Sequence, residues 1–206
     1  MMLAPSNTVE LQERPLRVVV LIGHVPAYSR IREFSLRVSD LIIERLGVPA
    51  TSHLVEAADF GVDLFARGSS PDHVQQALSH ILEADVLLVS TPVRHGTFSG
   101  ALSLLLDRLP TDALRGVRVF AVLLDSQPPH HVAAGMHLRA VLENLGAIVH
   151  GRGIAVAPSK WSDSNAVIED WLDRNFPRSG GRMHLGPASG IPNTLRTAIA
   201  VFFCSC

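Results

Sequence analysis

Residues 84–110 read ADVLLVSTPVRHGTFSGALSLLLDRLP and contain a strand, a loop and a helix in that order. The apolar run at residues 86–89 shows no alternation with polar residues, which is typical of a strand covered on both faces in a parallel sheet. Leucines at helical spacing follow Ser99, a predicted N-cap, and Pro110 ends that helix. Because ligands of open α/β sheets bind at the carboxyl ends of strands, the loop at residues 91–99 is the first candidate binding site.

Strand and helix patterns alternate along the rest of the chain. We predict strands at residues 16–22, 50–55, 85–90, 117–124 and 148–156. We predict helices at residues 30–46, 71–83, 100–109, 131–145 and 162–175, with Ser70 as the N-cap of the second and Pro71 as its first helical residue. Five strands interleaved with helices indicate an α/β fold, a doubly wound five-stranded parallel sheet with helices on both faces.

The composition bounds the domain organisation and the environment. A chain of 206 residues predicts one domain, at residues 16–176, between a flexible leader at 1–15 and a Gly/Pro-rich connection with an apolar tail at 177–206. No apolar run approaches the roughly 20 residues that a membrane helix needs, and a net charge of −1 gives no general attraction to nucleic acid. The only cysteines are Cys204 and Cys206, which favours a reducing, cytoplasmic location without a disulfide framework.

Two loops carry a family resemblance. In a sheet with strand order 2-1-3-4-5, ligands bind where the first and third strands meet, and those strand ends carry GHVPAYSR at residues 23–30 and TPVRHG at residues 91–96. The chain resembles the NADPH-dependent FMN reductases of the flavodoxin-like superfamily, whose third strand and following helix look like ADxLIVATPVYxxxxSGALKxLLDLLP. Residues 113–124, ALRGVRVFAVLL, are similar to the family's ALxGKxVLPLAT. The resemblance covers residues 16–156 and is nearest to the two-component reductases that supply alkanesulfonate monooxygenases.

The resemblance implies an activity, its cofactors and its partners. It implies NAD(P)H-dependent reduction of FMN, with FMN and NADPH or NADH as cofactors, and supply of reduced flavin to a partner monooxygenase. It also implies a homodimer or homotetramer. Because the flavin carries the redox chemistry and the protein supplies binding and orientation, we assign no catalytic side chain.

The implied cofactor contacts lie in the loops after the first, third and fourth strands. They are Gly23, His24, Ser29, Arg30, Arg32, Thr91, Pro92, Val93, Arg94, His95, Gly96, Asp125, Ser126 and Gln127. The first loop is expected to cradle the FMN phosphate at a helix N-terminus, where arginines can fork onto it. The backbone N–H groups of residues 93–96 are expected to meet the pyrimidine edge of the flavin.

The loops also differ from the family pattern, in which the first looks like GSPRxxSxS. Arg94 stands where the family commonly has a tyrosine, and residues 125–129, DSQPP, replace a Gly-Gly, with two prolines expected to stiffen the turn. These differences leave open two alternatives to a reductase. One is a flavin-free descendant that acts as a binding or assembly partner, and the other is a cleft repurposed for non-redox chemistry with Arg94, His95 and Asp125.

Two other kinds of site are not predicted. The ten histidines have no carboxylate or thiol at coordinating spacing, so we predict no metal site. The side-chain types of a hydrolytic triad are present at Ser126, Asp125 and His131. However, the sequence around Ser126 lacks the G-x-S-x-G turn that exposes such a serine. Trp171 is predicted to be a packing residue.

Overall fold

The computed structural model describes residues 14–24, 30–65, 71–124, 128–157 and 163–175. Its strands are β1 (Leu16–Ile22), β2 (Ala50–Glu56), β3 (Val86–Pro92), β4 (Arg118–Leu124), β5 (Ile148–Val149) and β6 (Ile154–Val156). Its helices are α1 (Arg30–Leu46), α2 (Asp72–Leu82), α3 (Gly100–Leu106), α4 (Pro128–Asn144) and α5 (Ser164–Asn175), and a 3-10 segment (Ala57–Phe65) follows β2. The strands are parallel in the order β2-β1-β3-β4-β5, with β6 also paired to β4, so the predicted flavodoxin-like fold is confirmed.

The sheet is covered on both faces, as the unbroken apolar runs predict. Along β1, Val19 and Leu21 pack with α2, α3 and α4, whereas Val18 and Val20 pack with α1 and α5. All four side chains are at most 1% exposed. Burying aliphatic side chains of this size contributes roughly 1.5–3 kcal/mol each, so both helical layers are held by the same strands. None of the helices in the described part is both long and apolar enough to cross a membrane.

Two predicted helix boundaries are corrected by the structure. Pro71 is the N-cap of α2 and not its first helical residue, and Ser70 lies outside the described residues. α3 ends at Leu106, three residues before the predicted end. The N–H groups of Arg108 and Leu109 donate to carbonyls three residues back, the tighter pattern of a 3-10 turn, and so end the α-helical pattern.

The start of α4 is also corrected. The helix begins at Pro128 instead of residue 131, so Pro128 and Pro129 open a helix and do not stiffen a turn. Proline is tolerated in the first turn because the N–H that it lacks would have no helical partner there. The 3-10 segment was not predicted. Gly61 lies inside it with φ 47°, a kink between two short helical turns.

The last predicted strand is wrong as a single element. Val149 pairs with Val119 and Ile154 pairs with Val122. Between these two pairs the segment at 149–154 is therefore two residues longer than the facing segment of β4. The extra residues bulge at Gly151, whose φ of 57° favours glycine. The edge of the sheet is therefore made by two short strands, β5 and β6.

Candidate functional site

The carboxyl ends of β1, β3 and β4 hold the predicted loops together through backbone hydrogen bonds. The N–H of Gly23 donates to the carbonyl of Ser90 at 2.8 Å, and the N–H of Val93 donates to that of Leu124 at 2.9 Å. A Cβ on Gly23 would lie 3.0 Å from Cγ and Cδ1 of Leu102 and closer still to its Cβ. α3 therefore packs directly against the end of β1, and only glycine leaves room for it.

Ser99 links the loop after β3 to the end of β1. Its hydroxyl accepts from the N–H of Leu102 at 3.2 Å, which confirms the predicted N-cap, and it donates to the carbonyl of Gly23. The N–H of Ser99 donates to Oγ1 of Thr91 at 3.1 Å, and this hydroxyl donates to the carbonyl of Pro92. Thr91 is fully buried, so its hydroxyl holds the loop in shape.

Residues 94–97 form a tight hairpin that the sequence did not predict. Arg94 and Thr97 exchange two backbone hydrogen bonds of 3.0 Å each. His95 and Gly96 between them have φ values of 53° and 74°, as in a type I′ turn. Among the described residues, the N–H groups of His95 and Gly96 meet no acceptor. The hairpin thus presents two adjacent donors at the carboxyl end of β3.

His137 of α4 contacts this hairpin. Its Nδ1 lies 3.0 Å from Oγ1 of Thr97, and its ring centroid lies 5.0 Å from that of the buried Phe98. The sequence carries no signal for this contact, because a helical position beside the buried Leu138 does not indicate which loop 40 residues earlier His137 meets.

Positive charge at the end of β1 comes from Arg94, which lies near His24. Burial, and then the nearby guanidinium of Arg94, lower the pKa of His24 below the usual value of 6.5. Near neutral pH His24 is therefore uncharged and Arg94, which is exposed, carries the charge. α1 begins at Arg30, so its positive N-terminal end faces the same side of the sheet. This arrangement suits an anion.

The other predicted contacts have different outcomes. Arg32 forms an ion pair with Glu56 at the end of β2, with Nε 3.1 Å from Oε2. It is therefore held toward the neighbouring strand. Ser29 and residues 125–127, which include the predicted contacts Asp125, Ser126 and Gln127, lie outside the described residues, and their contacts stay predictions.

Other features lie away from these loops. A cavity of about 280 Å³ lies between β6 and α5, lined in part by Trp171 and Arg174, and holds none of the predicted contacts. Trp171 is buried and its indole N–H donates to the carbonyl of Arg152. Within the described ranges, no three histidine, cysteine or acidic side chains are grouped to hold a metal ion.

Two histidines outside the cleft also have lowered pKa values. His80 stacks on His53 with ring centroids 4.4 Å apart, and its pKa is lowered by burial, by His53 and by Arg17. The pKa of His150 is lowered by burial and by two nearby arginines, and its Nε2 is buried without a partner among the described residues. Both side chains therefore favour the neutral form in the folded protein.

FMN reductases are among the proteins to which this chain is similar. An FMN reductase (NADPH) of Pseudomonas aeruginosa is 27% identical over 83% of this chain and 96% of its own length. The NADH-dependent FMN reductase SfnF of Pseudomonas fluorescens is 28% identical over 76% of this chain and 84% of its own length. An apo crystal structure of an NADH:FMN oxidoreductase superposes with a TM-score of 0.72 at 20% identity, over 89% of this chain and 98% of that one, which shows the shared fold.

The family comparison covers the sheet and all three loops. The profile of the NADPH-dependent FMN reductases matches residues 16–162. This range runs from the first residue of β1 past the end of β6 and includes every predicted contact. The chain therefore belongs to the NADPH-dependent FMN reductase family, flavodoxin-like oxidoreductases whose cofactors are FMN and NAD(P)H.

Proposed function

We propose that the cleft at the carboxyl ends of β1, β3 and β4 binds FMN, that NAD(P)H reduces it there, and that the reduced flavin leaves for a partner monooxygenase. The observation that carries the proposal is the junction of the carboxyl ends of β1, β3 and β4. One end of the cleft offers positive charge and the other offers a pair of backbone donors. FMN needs both, because it has a phosphate at one end and a hydrogen-bonding ring system at the other.

The positive end fits the phosphate. The N-terminus of α1, the guanidinium of Arg94 and the half-buried His24 lie around the end of β1. A helix N-terminus and an arginine are the groups that proteins most often use for phosphate. Arg94 thus offsets the serines that the family's first loop usually has. Arg32 takes no part in this proposal because Glu56 holds it.

The hairpin fits the ring. The N–H groups of His95 and Gly96 are adjacent donors, and a Cβ on Gly96 would meet no atom of the described residues within 4 Å. The ring therefore has open space beside the turn. Backbone donors need no particular side chain, so Arg94 in place of a tyrosine does not remove them.

The chain's contribution to the reaction is binding and orientation. FMN, when bound, accepts the hydride that the nicotinamide ring supplies. The hairpin and the phosphate end would hold the two ends of the flavin. This transfer needs no protein acid or base, and so no side chain is assigned that role.

The first test measures binding and turnover in the same samples. FMN is titrated by fluorescence quenching while oxidation of NADPH and of NADH is followed by absorbance. We expect saturable binding near the micromolar range, about −8 kcal/mol, and many turnovers per protein molecule when FMN is in excess. Absence of binding up to several hundred micromolar FMN in folded protein would overturn the proposal and favour a flavin-free descendant.

A second test separates the two ends of the cleft. Losing a charge-assisted hydrogen bond costs about 1.5–3 kcal/mol, so Arg94→Gln should weaken FMN binding about 10- to 100-fold. Riboflavin, which has no phosphate, should bind Arg94→Gln and wild type alike. Arg37→Gln is the matched control, because Arg37 is an exposed arginine about 10 Å along α1 from the N-terminus of that helix. Equal loss for FMN and riboflavin would show that Arg94 does not contact the phosphate.

The partner, the assembly and the cytoplasmic location remain proposals. The exposed Arg94 and His95 leave the flavin site open to solvent, which supports a flavin that enters and leaves. An alkanesulfonate monooxygenase placed across a dialysis membrane should gain activity from this enzyme, FMN and NAD(P)H.

On α4, Val132 and Met136 are 56% and 70% exposed one turn apart, which supports a homo-oligomer. Light scattering should find a dimer or tetramer, and a monomer at tens of micromolar would contradict it.

A further inference from the structure

The hairpin at residues 94–97 is attached to the fold mainly at its two ends. Before it, the N–H of Val93 donates to the carbonyl of Leu124 in β4. After it, the side chain of Phe98 is buried and the N–H of Ser99 donates to Thr91. Between these two anchors the described part of the chain offers one side-chain hydrogen bond to the hairpin from another element. It joins Thr97 to His137 of α4.

This contact has two components. Nδ1 of His137 lies 3.0 Å from Oγ1 of Thr97, within the range of a good hydrogen bond. The imidazole ring also packs on Phe98, with a centroid distance of 5.0 Å and a tilt of 46°. The hydrogen bond limits how far the hairpin can move, and the ring contact fixes where α4 lies against it.

We propose that His137 is a positioning residue, which holds the hairpin so that the N–H groups of His95 and Gly96 stay aimed at the flavin ring. His137 acts through Thr97 and touches neither the flavin nor the nicotinamide. The inference rests on the proposed function for its effect on flavin binding. Its effect on the hairpin itself does not depend on any ligand.

Two variants remove the bond from opposite sides. His137→Ala removes both components, and Thr97→Val removes the hydroxyl alone with little change of shape. A net hydrogen bond is worth about 0.5–1.5 kcal/mol, so each variant should raise the Kd for FMN about 2- to 10-fold. The Kd for riboflavin should also rise, because riboflavin has the same ring and would meet the same hairpin N–H groups. The kcat should change less than about twofold, since the bond is made equally before and during hydride transfer.

Rescue distinguishes the hydrogen bond from mere bulk. In His137→Asn the amide oxygen reaches the place of Nδ1, so this variant should recover most of the affinity. The double variant His137→Ala with Thr97→Val should bind FMN no more weakly than His137→Ala, since both changes remove the same bond. His73→Ala is the matched control. It removes a histidine with an acidic partner, Asp63, and a ring neighbour, away from the hairpin, and should leave flavin affinity unchanged.

Hydrogen exchange in the ligand-free protein provides the independent readout. The amides of Arg94 and Thr97, bonded to each other across the hairpin, should exchange about 2- to 10-fold faster in His137→Ala and Thr97→Val, and not in His73→Ala. Unchanged exchange and affinity in both variants would overturn the proposal, as would failure of His137→Asn to recover what His137→Ala loses. If wild-type protein binds no FMN, the proposed function fails while faster exchange still supports the positioning role.

Discussion

Replacing Gly23 with alanine should separate β1 from α3, and the structure sets the size of the effect. The new Cβ would lie 3.0 Å from two side-chain carbons of Leu102 and closer still to its Cβ. Carbon atoms pack comfortably at about 3.5–4.0 Å, so α3 or the strand end must move by roughly 1 Å. The atom in closest contact is a Cβ, which cannot rotate away. Overpacking of this kind costs about 1–3 kcal/mol.

Thermal unfolding measures this cost. For a domain of this size each kcal/mol lowers Tm by about 2–4 °C, so Gly23→Ala should melt about 2–12 °C below wild type. FMN should also bind more weakly, because the moving α3 carries Ser99, which bonds to the carbonyl of Gly23. Gly100→Ala is the matched control, since a Cβ there would meet no atom within 4 Å in the part of the chain that the structure describes, and alanine favours a helix. If Gly23→Ala melts within about 1 °C of wild type and binds FMN equally, the close approach of β1 and α3 is wrong.

Three further predictions concern stability. Ser99→Ala removes the N-cap of α3 and should lower the free energy of unfolding in urea by about 1–2 kcal/mol, whereas Ser99→Thr should keep most of it. Gly153→Ala should lower Tm without changing FMN affinity, because its Cβ would lie 2.5 Å from a carbonyl oxygen of β4. Acid should destabilise the protein. The folded state binds protons less readily than the unfolded chain at three histidines, so the free energy of unfolding should be level above about pH 7 and fall as the pH drops below 6.5. Urea unfolding at several pH values tests this, and a curve that stays flat down to about pH 5 would contradict the lowered pKa values of His24, His80 and His150.

The fold could be predicted from the sequence because each central strand is an unbroken apolar run. β3 is buried along its whole length, and a strand that is covered on both faces needs apolar residues at every position. Its sequence pattern is therefore recognisable without knowledge of its neighbours. The N-cap at Ser99 follows from local chemistry in the same way. The broken last strand could not be predicted, because the break depends on how the chain pairs with β4 on either side of the bulge at Gly151. That pairing is a tertiary contact and leaves no local signal.

The candidate site could likewise be predicted from the sequence only in part. The sequence placed Gly23, Arg94 and Gly96 at the right strand ends, since topology alone decides where the loops meet. It could not show that residues 94–97 turn as a hairpin, or that His137 reaches it. Both depend on contacts between parts of the chain that are far apart in sequence.

The hydroxyl groups at the strand ends serve the fold, whereas the phosphate contacts are proposed to come from other groups. Those of Thr91 and Ser99 are used within the protein, where they hold the third loop to β1 and start α3. Without these hydroxyls the loop after β3 would lose its side-chain bond to Gly23, whereas the backbone bond between Gly23 and Ser90 would stay. Under the proposed function, positive charge from Arg94 and from the N-terminus of α1 takes the place of the serines expected in the family's first loop. A long-range charge tolerates a less exact fit than a set of short hydrogen bonds. Hence the chain can keep its fold unchanged while its phosphate contacts diverge, provided that the backbone donors of the hairpin still fix the ring.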